Sequence, residues 1–224
     1  MLEPRKEDID MAKVKEFKIT DPWDYKAPMN MAQILTLPER SFAWIEGQGN
    51  PNGPVFAQAV GALYALSYTA RMSYRSPKPP KGAASYTVGL LQGRWDIRAG
   101  ESIFDPKNKE ALAWVIMIRQ PDFLDKALYQ KFVGEARAKI VKKGEADPAW
   151  IDRLRFGLRD GGKFAQIMHR GPYDDEPATF ARLEEYLAAQ GLSRSGKFHW
   201  ELYHSDPRRT PPERLKTILR VKIE

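Results

Sequence analysis

Most catalytic signatures that a sequence can display are missing from this chain. There is no phosphate-binding loop, no dinucleotide-binding glycine pattern, no Gly-x-Ser-x-Gly elbow and no His-Glu-x-x-His helix. What stands out is one carboxylate in aromatic company, in the run Phe198-His199-Trp200-Glu201-Leu202-Tyr203. The run is rich in β-formers. Strand side chains alternate, so His199, Glu201 and Tyr203 share one face while Trp200 and Leu202 share the other. With the Trp200/Leu202 face packed under helices, Glu201 is expected to point across the sheet, toward a junction between two halves of the molecule. A carboxylate there has two uses. It attracts a cationic or donor-rich ligand, because an unpaired buried charge welcomes a partner. Or desolvation lifts its pKa and makes it a general acid or base near neutral pH. The alternative is a glutamate on the solvated face of an edge strand, ion-paired to a neighbour such as Arg220. His169, His199 and His204 are too scattered to suggest a metal site, and each reads as structural or superficial. No metal and no cofactor is expected.

Aromatic residues recur at strand positions and turns: Trp44, Tyr86, Trp95, Trp114, Tyr173, Trp200 and Tyr203, with Tyr64 and Tyr68 one helical turn apart. Rings are ordinarily core filler, yet this many do not all fit beneath two short helices. The remainder would line a cleft that recognises planar or cationic ligands by stacking and cation–π attraction. Met117 would add an adaptable wall.

The elements that must position these residues come in duplicate. Phe42-Ala43-Trp44-Ile45 recurs as Phe164-Ala165-Gln166-Ile167, and Gly49 as Gly171, at an offset of 122 residues. After a slip of two residues, Phe56, Ala57 and Leu63 meet Phe180, Ala181 and Leu187 at an offset of 124. Repeats of this kind bury their apolar faces against each other, and the seam between them is a common place for a pocket. Each half reads strand–helix–strand–strand, an α+β plan with helices against antiparallel sheet. In the first half a strand over 32–46, interrupted at Pro38, leads through a Gly/Pro/Asn turn to a helix over 55–74, then strands over 85–97 and 111–119. The second half follows an inserted helix over 123–142. Its first strand is expected as a hairpin, 153–159 turning at Asp160-Gly161-Gly162 into 163–170. A helix over 178–190 and strands over 196–204 and 214–223 complete it. Residues 1–30 read as a surface-wrapping arm with little regular structure, anchored by Trp23 and Tyr25. The remainder, 31–224, reads as one domain with halves at about 31–122 and 123–224.

Composition narrows the function classes. The 224 residues are 42% hydrophobic and 29% charged, with mean hydropathy −0.55 and no run approaching the roughly 18–20 apolar residues of a membrane helix. The N-terminus alternates charges and shows no secretory signal, and the chain has no cysteine, so disulfides and thiolate chemistry are out. A cytoplasmic protein, monomeric or homodimeric, is the expectation. The net charge of +7 is spread among 29 acidic residues without a basic stripe, which argues against a nucleic-acid partner.

The chain resembles the GyrI-like small-molecule-binding proteins over about residues 30 to 224. The resemblance is carried by Gly47-Gln48-Gly49-Asn50-Pro51-Asn52, Leu63-Tyr64 through Tyr68 to Arg71-Met72, Tyr86-Thr87-Val88, Gly93-Arg94-Trp95-Asp96-Ile97, Ile116 through Phe123, Gly171-Pro172-Tyr173-Asp174-Asp175-Glu176-Pro177 and Glu201-Leu202-Tyr203. It is strongest to the free-standing branch, with no DNA-binding domain attached. What it implies is a duplicated βαββ fold with a ligand cleft on the pseudo-twofold axis. In many relatives a glutamate on a late strand recognises lipophilic, often cationic drugs, and Glu201 matches it. Some free-standing members are hydrolases that open the cyclopropane of DNA-alkylating natural products with an aromatic cage. On that resemblance Glu201 and Tyr173 are the expected catalytic groups. Trp95, Tyr203, Tyr68, Tyr86, Met117, Phe123 and Trp200 are the expected contacts to the ligand. Glu201 would position or deprotonate water, and Tyr173 or Tyr86 would hydrogen-bond the developing oxyanion. A drug-sensing module or a gyrase-binding inhibitor are the other functions such a chain would serve.

Overall fold

A computed structural model describes residues 17–18, 24–97, 108–144, 147–159 and 161–224. The alternating strand segments and periodic helices of the sequence appear there as β1 (Phe17–Lys18), β2 (Gln33–Leu37), β3 (Arg40–Gln48), α1 (Pro54–Met72), β4 (Tyr86–Thr87), β5 (Leu91–Ile97) and β6 (Leu112–Arg119). They continue as α2 (Lys126–Lys143), α3 (Ala149–Asp152), β7 (Arg155–Arg159), β8 (Gly162–Arg170), α4 (Glu176–Ala189), β9 (His199–Tyr203) and β10 (Lys216–Lys222). Pro54 opens α1 at a position whose N–H has no helical acceptor. The Asp125 carboxylate caps α2 by accepting from the Leu128 N–H at 2.8 Å, and Gly144 ends it with φ 66°.

Eight strands form one antiparallel sheet in the order β2-β8-β10-β9-β5-β6-β3-β7, the α+β architecture expected. Its register shows the duplication. Ile45 pairs with Ile116, which pairs with Gly93. Ile167 likewise pairs with Leu219, which pairs with Glu201. Gly93 and Glu201 then pair with each other, so the pseudo-twofold axis passes at that pair. The first strands thus match at the 122-residue offset visible in the sequence.

The hairpin expected from Arg153–Arg159 into Lys163–Arg170 does not form. Instead β7 pairs with β3, and β2 pairs with β8, so each half lends its leading strand to the other. Only Pro38 and Glu39 separate β2 from β3, and two residues span about 7 Å. The first strand of the order and the last but one are therefore neighbours through the chain, and the sheet must curl to bring its margins together.

Both faces of the curled sheet are buried. On one, α1 packs against Ala43, Ile45, Trp114, Ile116 and Ile118, while Leu183 and Leu187 of α4 pack against Ala165, Ile167 and Leu219. On the other, Phe42, Met117, Phe164, Trp200, Leu202 and Ile218 pack with Tyr25, Leu35 and Leu37. The Trp200/Leu202 face therefore lies away from the helices rather than under them, and Glu201 faces the helix side. The expected arm is also more than a wrapping. The backbone of β1 pairs in parallel with β4, Asp24 and Tyr25 are buried, and Gln92 donates to the Tyr25 hydroxyl at 2.7 Å. Arg220 pairs across the sheet with Trp200, and its side chain donates to the Asp24 carbonyl and to Gln166 on that face, opposite to the face of Glu201. Trp23 lies outside the described residues. No helix among the described residues is long and apolar enough to cross a membrane.

Because Tyr25 is part of the core, Tyr25→Ala is expected to cost about 3–5 kcal/mol in urea unfolding, the range for removing a buried aromatic ring. A loss below about 1 kcal/mol would return this segment to the status of a surface wrapping.

Candidate functional site

Helix α1 rests on β3 and β6, and α4 rests on β8. The central pair, β5 and β9, forms the floor of the groove between them. Trp95 of β5 stands across from His199 of β9, and beside them Glu201 and Tyr203 point to the same side. Trp95 Nε1 donates to the Tyr203 hydroxyl at 2.9 Å, and that hydroxyl donates to Glu201 Oε2 at 2.8 Å. His199 Nε2 lies 2.9 Å from Glu201 Oε1. Glu201 is only 8% exposed and accepts from two sides, the arrangement that suits an ionised carboxylate. Across from it, Gly93 has no side chain: a Cβ there would lie 2.6 Å from Trp95 Nε1 and 3.0 Å from the Tyr203 hydroxyl. The missing side chain lets the indole lie down over the sheet and reach Tyr203.

A second carboxyl completes the cluster. Glu176, in the first turn of α4, is 7% exposed, and its Oε1 has no hydrogen-bond partner. Burial, the adjacent Glu201 charge and hydrogen bond, and then Asp174 hold its pKa well above the ordinary value of 4.5. Glu176 is therefore a carboxyl that holds on to its proton beside Glu201. Burial, then Glu201, likewise pushes the Tyr203 phenol well up and the Tyr173 phenol up to about 12. Both remain hydrogen-bond donors at neutral pH. Ligand-type atoms of Glu176, His199 and Glu201 lie within 4.8 Å of one another. His199 Nε2 and both Glu201 oxygens are engaged with each other and with Tyr203, while Glu176 Oε1 has no hydrogen-bond partner.

A cavity of about 690 Å³ opens beside the cluster, walled by Trp95, Ile97, Leu112, Pro177, Phe180 and His199, with Asp96, Arg194, Gly196 and Lys197 around it. Phe180 meets the His199 ring edge-on at 4.8 Å, and Phe56 stacks on Trp95 at 5.7 Å. The volume suits a drug-sized ligand.

The sequence-derived candidates divide. Glu201, Tyr203 and Trp95 come together, and Tyr173 meets Tyr203 edge-on at 5.9 Å. Tyr68 is 52% exposed on α1, stacked on Tyr64, whose phenol feels the charge of Asp206 as Tyr173 does. Met117 and Trp200 are buried on the far face of the sheet, because alternation along β6 and β9 turns them away from the groove. Tyr86 is buried, its hydroxyl 3.4 Å from the Ser67 carbonyl, and Phe123 meets it edge-on at 6.1 Å, both apart from the carboxyl cluster. Three contributors escaped the sequence reading. Glu176 lay within a turn quoted for its resemblance, Phe180 within the repeat, and His199 on the correct face but read as structural. Only the helix start at Glu176, over a strand carrying Glu201, could have hinted at the pairing.

A duplicated βαββ sheet with an aromatic, acid-floored groove over its central strands defines a small-molecule-binding class. The profile of the GyrI-like small molecule binding domain matches residues 126–224. A conserved protein from Listeria innocua is 30% identical, with 93% of this chain and 100% of that chain aligned at a TM-score of 0.83. A hydrolase from Listeria innocua is also 30% identical, with 94% and 100% aligned at 0.83. The EcmrR C-terminal domain shares the fold alone, at 11% identity and a TM-score of 0.52 over 87% of this chain and 97% of that one. No curated protein matches the chain in sequence. The chain belongs to the GyrI-like small-molecule-binding family.

The raised Glu176 carboxyl has a consequence for stability. Its contribution is fully present below the ordinary value of 4.5 and is lost as pH rises toward the pKa in the fold. Glu176→Gln does not titrate. The stability of the wild type relative to this variant is therefore expected to fall with pH above 4.5, by up to about 1.4 kcal/mol per pH unit. Urea unfolding at several pH values up to neutral reads this; a difference that stays flat or grows contradicts the assignment.

Proposed function

We propose that the protein binds lipophilic, planar small molecules in the groove and hydrolyses electrophilic ones, opening the strained cyclopropane of DNA-alkylating agents. The observation that carries this is a buried carboxylate held by Tyr203 and by His199, which itself walls an aromatic cavity. The 30% identical Listeria hydrolase supports a hydrolytic reading.

In such a substrate the cyclopropane is conjugated to a dienone. Water adds to the ring methylene, the carbon–carbon bond breaks, and its electron pair moves to the dienone oxygen. The aromatic faces of Trp95 and Tyr203 would stabilise positive character at the attacked carbon. Glu201 supplies the negative charge toward which the proton of the water moves. Of the two phenols considered as oxyanion donors, Tyr173 meets Tyr203 edge-on and keeps its proton to about 12, whereas Tyr86 is buried with its hydroxyl on the Ser67 carbonyl of α1.

The test is incubation with a cyclopropane-bearing duocarmycin-type compound, followed by mass spectrometry for the gain of one water. Multiple turnovers are expected. Glu201→Gln should lower the rate by at least about 100-fold while planar ligands still bind, as expected on loss of the charge that assists proton removal from water. Stoichiometric protection without turnover would favour sequestration, and an unaffected rate in the variant would remove the role given to Glu201.

A further inference from the structure

The proton of the attacking water needs an acceptor in contact with the cavity. Glu201 does not itself form the cavity wall; His199 does. The imidazole is held by its Nε2, 2.9 Å from Glu201 Oε1, and by the edge of Phe180. Both Glu201 oxygens are engaged, one by His199 and the other by the Tyr203 hydroxyl, which itself accepts from Trp95. With an ionised carboxylate at Nε2, the ring proton sits on that nitrogen and the Nδ1 lone pair is left over. Nδ1 has no hydrogen-bond partner among the described residues. Nor is it one of the buried unpartnered atoms, so it has access to solvent, in a side chain that is 15% exposed and walls the cavity.

We propose that His199 is the general base of the hydration reaction, taking the proton of water on Nδ1 while Glu201 orients the ring and stabilises the imidazolium. This rests on the hydrolytic reading given above and deepens it. The water oxygen forms the new bond to the ring methylene as its proton passes to Nδ1. The cyclopropane carbon–carbon bond breaks with its electron pair going to the dienone oxygen. That oxygen takes a proton from solvent, and His199 returns its own to solvent, so one water is added and the enzyme is regenerated. An orienting carboxylate behind a base of this kind is a recurrent catalytic arrangement. The neighbouring acid has a part as well. Glu176 holds a proton beside Glu201 and has no Lys or Arg ion pair among the described residues, so it adds no second charge next to His199 and Glu201.

The experiment compares wild type, His199→Ala and His199→Asn with the duocarmycin-type probe, together with planar-ligand affinity and circular dichroism. Both variants are expected to lose at least about 100-fold in kcat with KM changed little. Added imidazole should restore turnover to His199→Ala by filling the vacated space, and should not act on Glu201→Gln in the same way. Turnover by His199→Ala at the wild-type rate overturns the inference and leaves the hydrolytic reading standing. Loss of turnover without imidazole rescue, in a folded variant that still binds, also overturns it and reduces His199 to a positioning role. Absence of hydration by the wild type overturns the reading and this inference together.

Discussion

The helices rest chiefly on the strands that flank the middle of the sheet, and the consequences run through the whole site. Because α1 rests on β3 and β6 while α4 rests on β8, the central strands are met by side chains reaching in from the two helices, Phe56 over Trp95, Phe180 against His199 and Glu176 beside Glu201. Apolar side chains there would face an open groove. The chain instead places Trp95, His199, Glu201 and Tyr203 on that floor and ties them into one chain of hydrogen bonds, indole to phenol to carboxylate to imidazole. Burying a charge away from water is costly unless donors replace its solvation. Two donors do so here, and Glu176 avoids adding a second charge by keeping its proton. Such a network behaves as a unit, since the loss of one member leaves its neighbours unpaired.

Much of this was legible beforehand, for reasons that can be named. Alternation along a strand is a strict period of two, so the common face of His199, Glu201 and Tyr203 could be read directly. The repeat was equally readable, because the same side chains recur at a constant spacing in equivalent strands. Which side of the sheet that face addressed was not readable. Both faces of this sheet are buried, and an apolar pair such as Trp200 and Leu202 fits beneath helices or within the curl equally well. The same ambiguity placed Met117 among the ligand contacts. The leading strands defeated a local reading because adjacency in sequence suggests a hairpin, while their partners lie in the opposite half. Glu176 was hidden for a related reason: its partner is set by how α4 lands on β8, a tertiary fact with no local pattern. Tyr25 was legible as an anchor of the arm but not as part of the core, because a polar, proline-flanked stretch gives no sign that the curled sheet needs a plug.

The two halves share a backbone plan and differ where the axis crosses them. At the central pair one half carries Gly93 and the other Glu201, and two positions further along each strand stand Trp95 and Tyr203. The empty position makes room for the indole, and the occupied one supplies the charge. Even the supporting strands diverge: a Cβ on Gly47 would meet the Trp114 ring at 2.2 Å, whereas the equivalent His169 bonds Thr179 and the Pro172 carbonyl and steadies the turn bearing Tyr173.

The reciprocal loan of β2 and β7 bears on the ancestry of such a groove. A lone βαββ unit with its leading strand could satisfy these pairings only by docking with a twin, which would put the groove at a subunit boundary with identical residues on both sides. Joining the two units in one polypeptide keeps that boundary but frees its sides to evolve separately. An acid on one side facing a vacancy on the other is a pattern that identical subunits could never display.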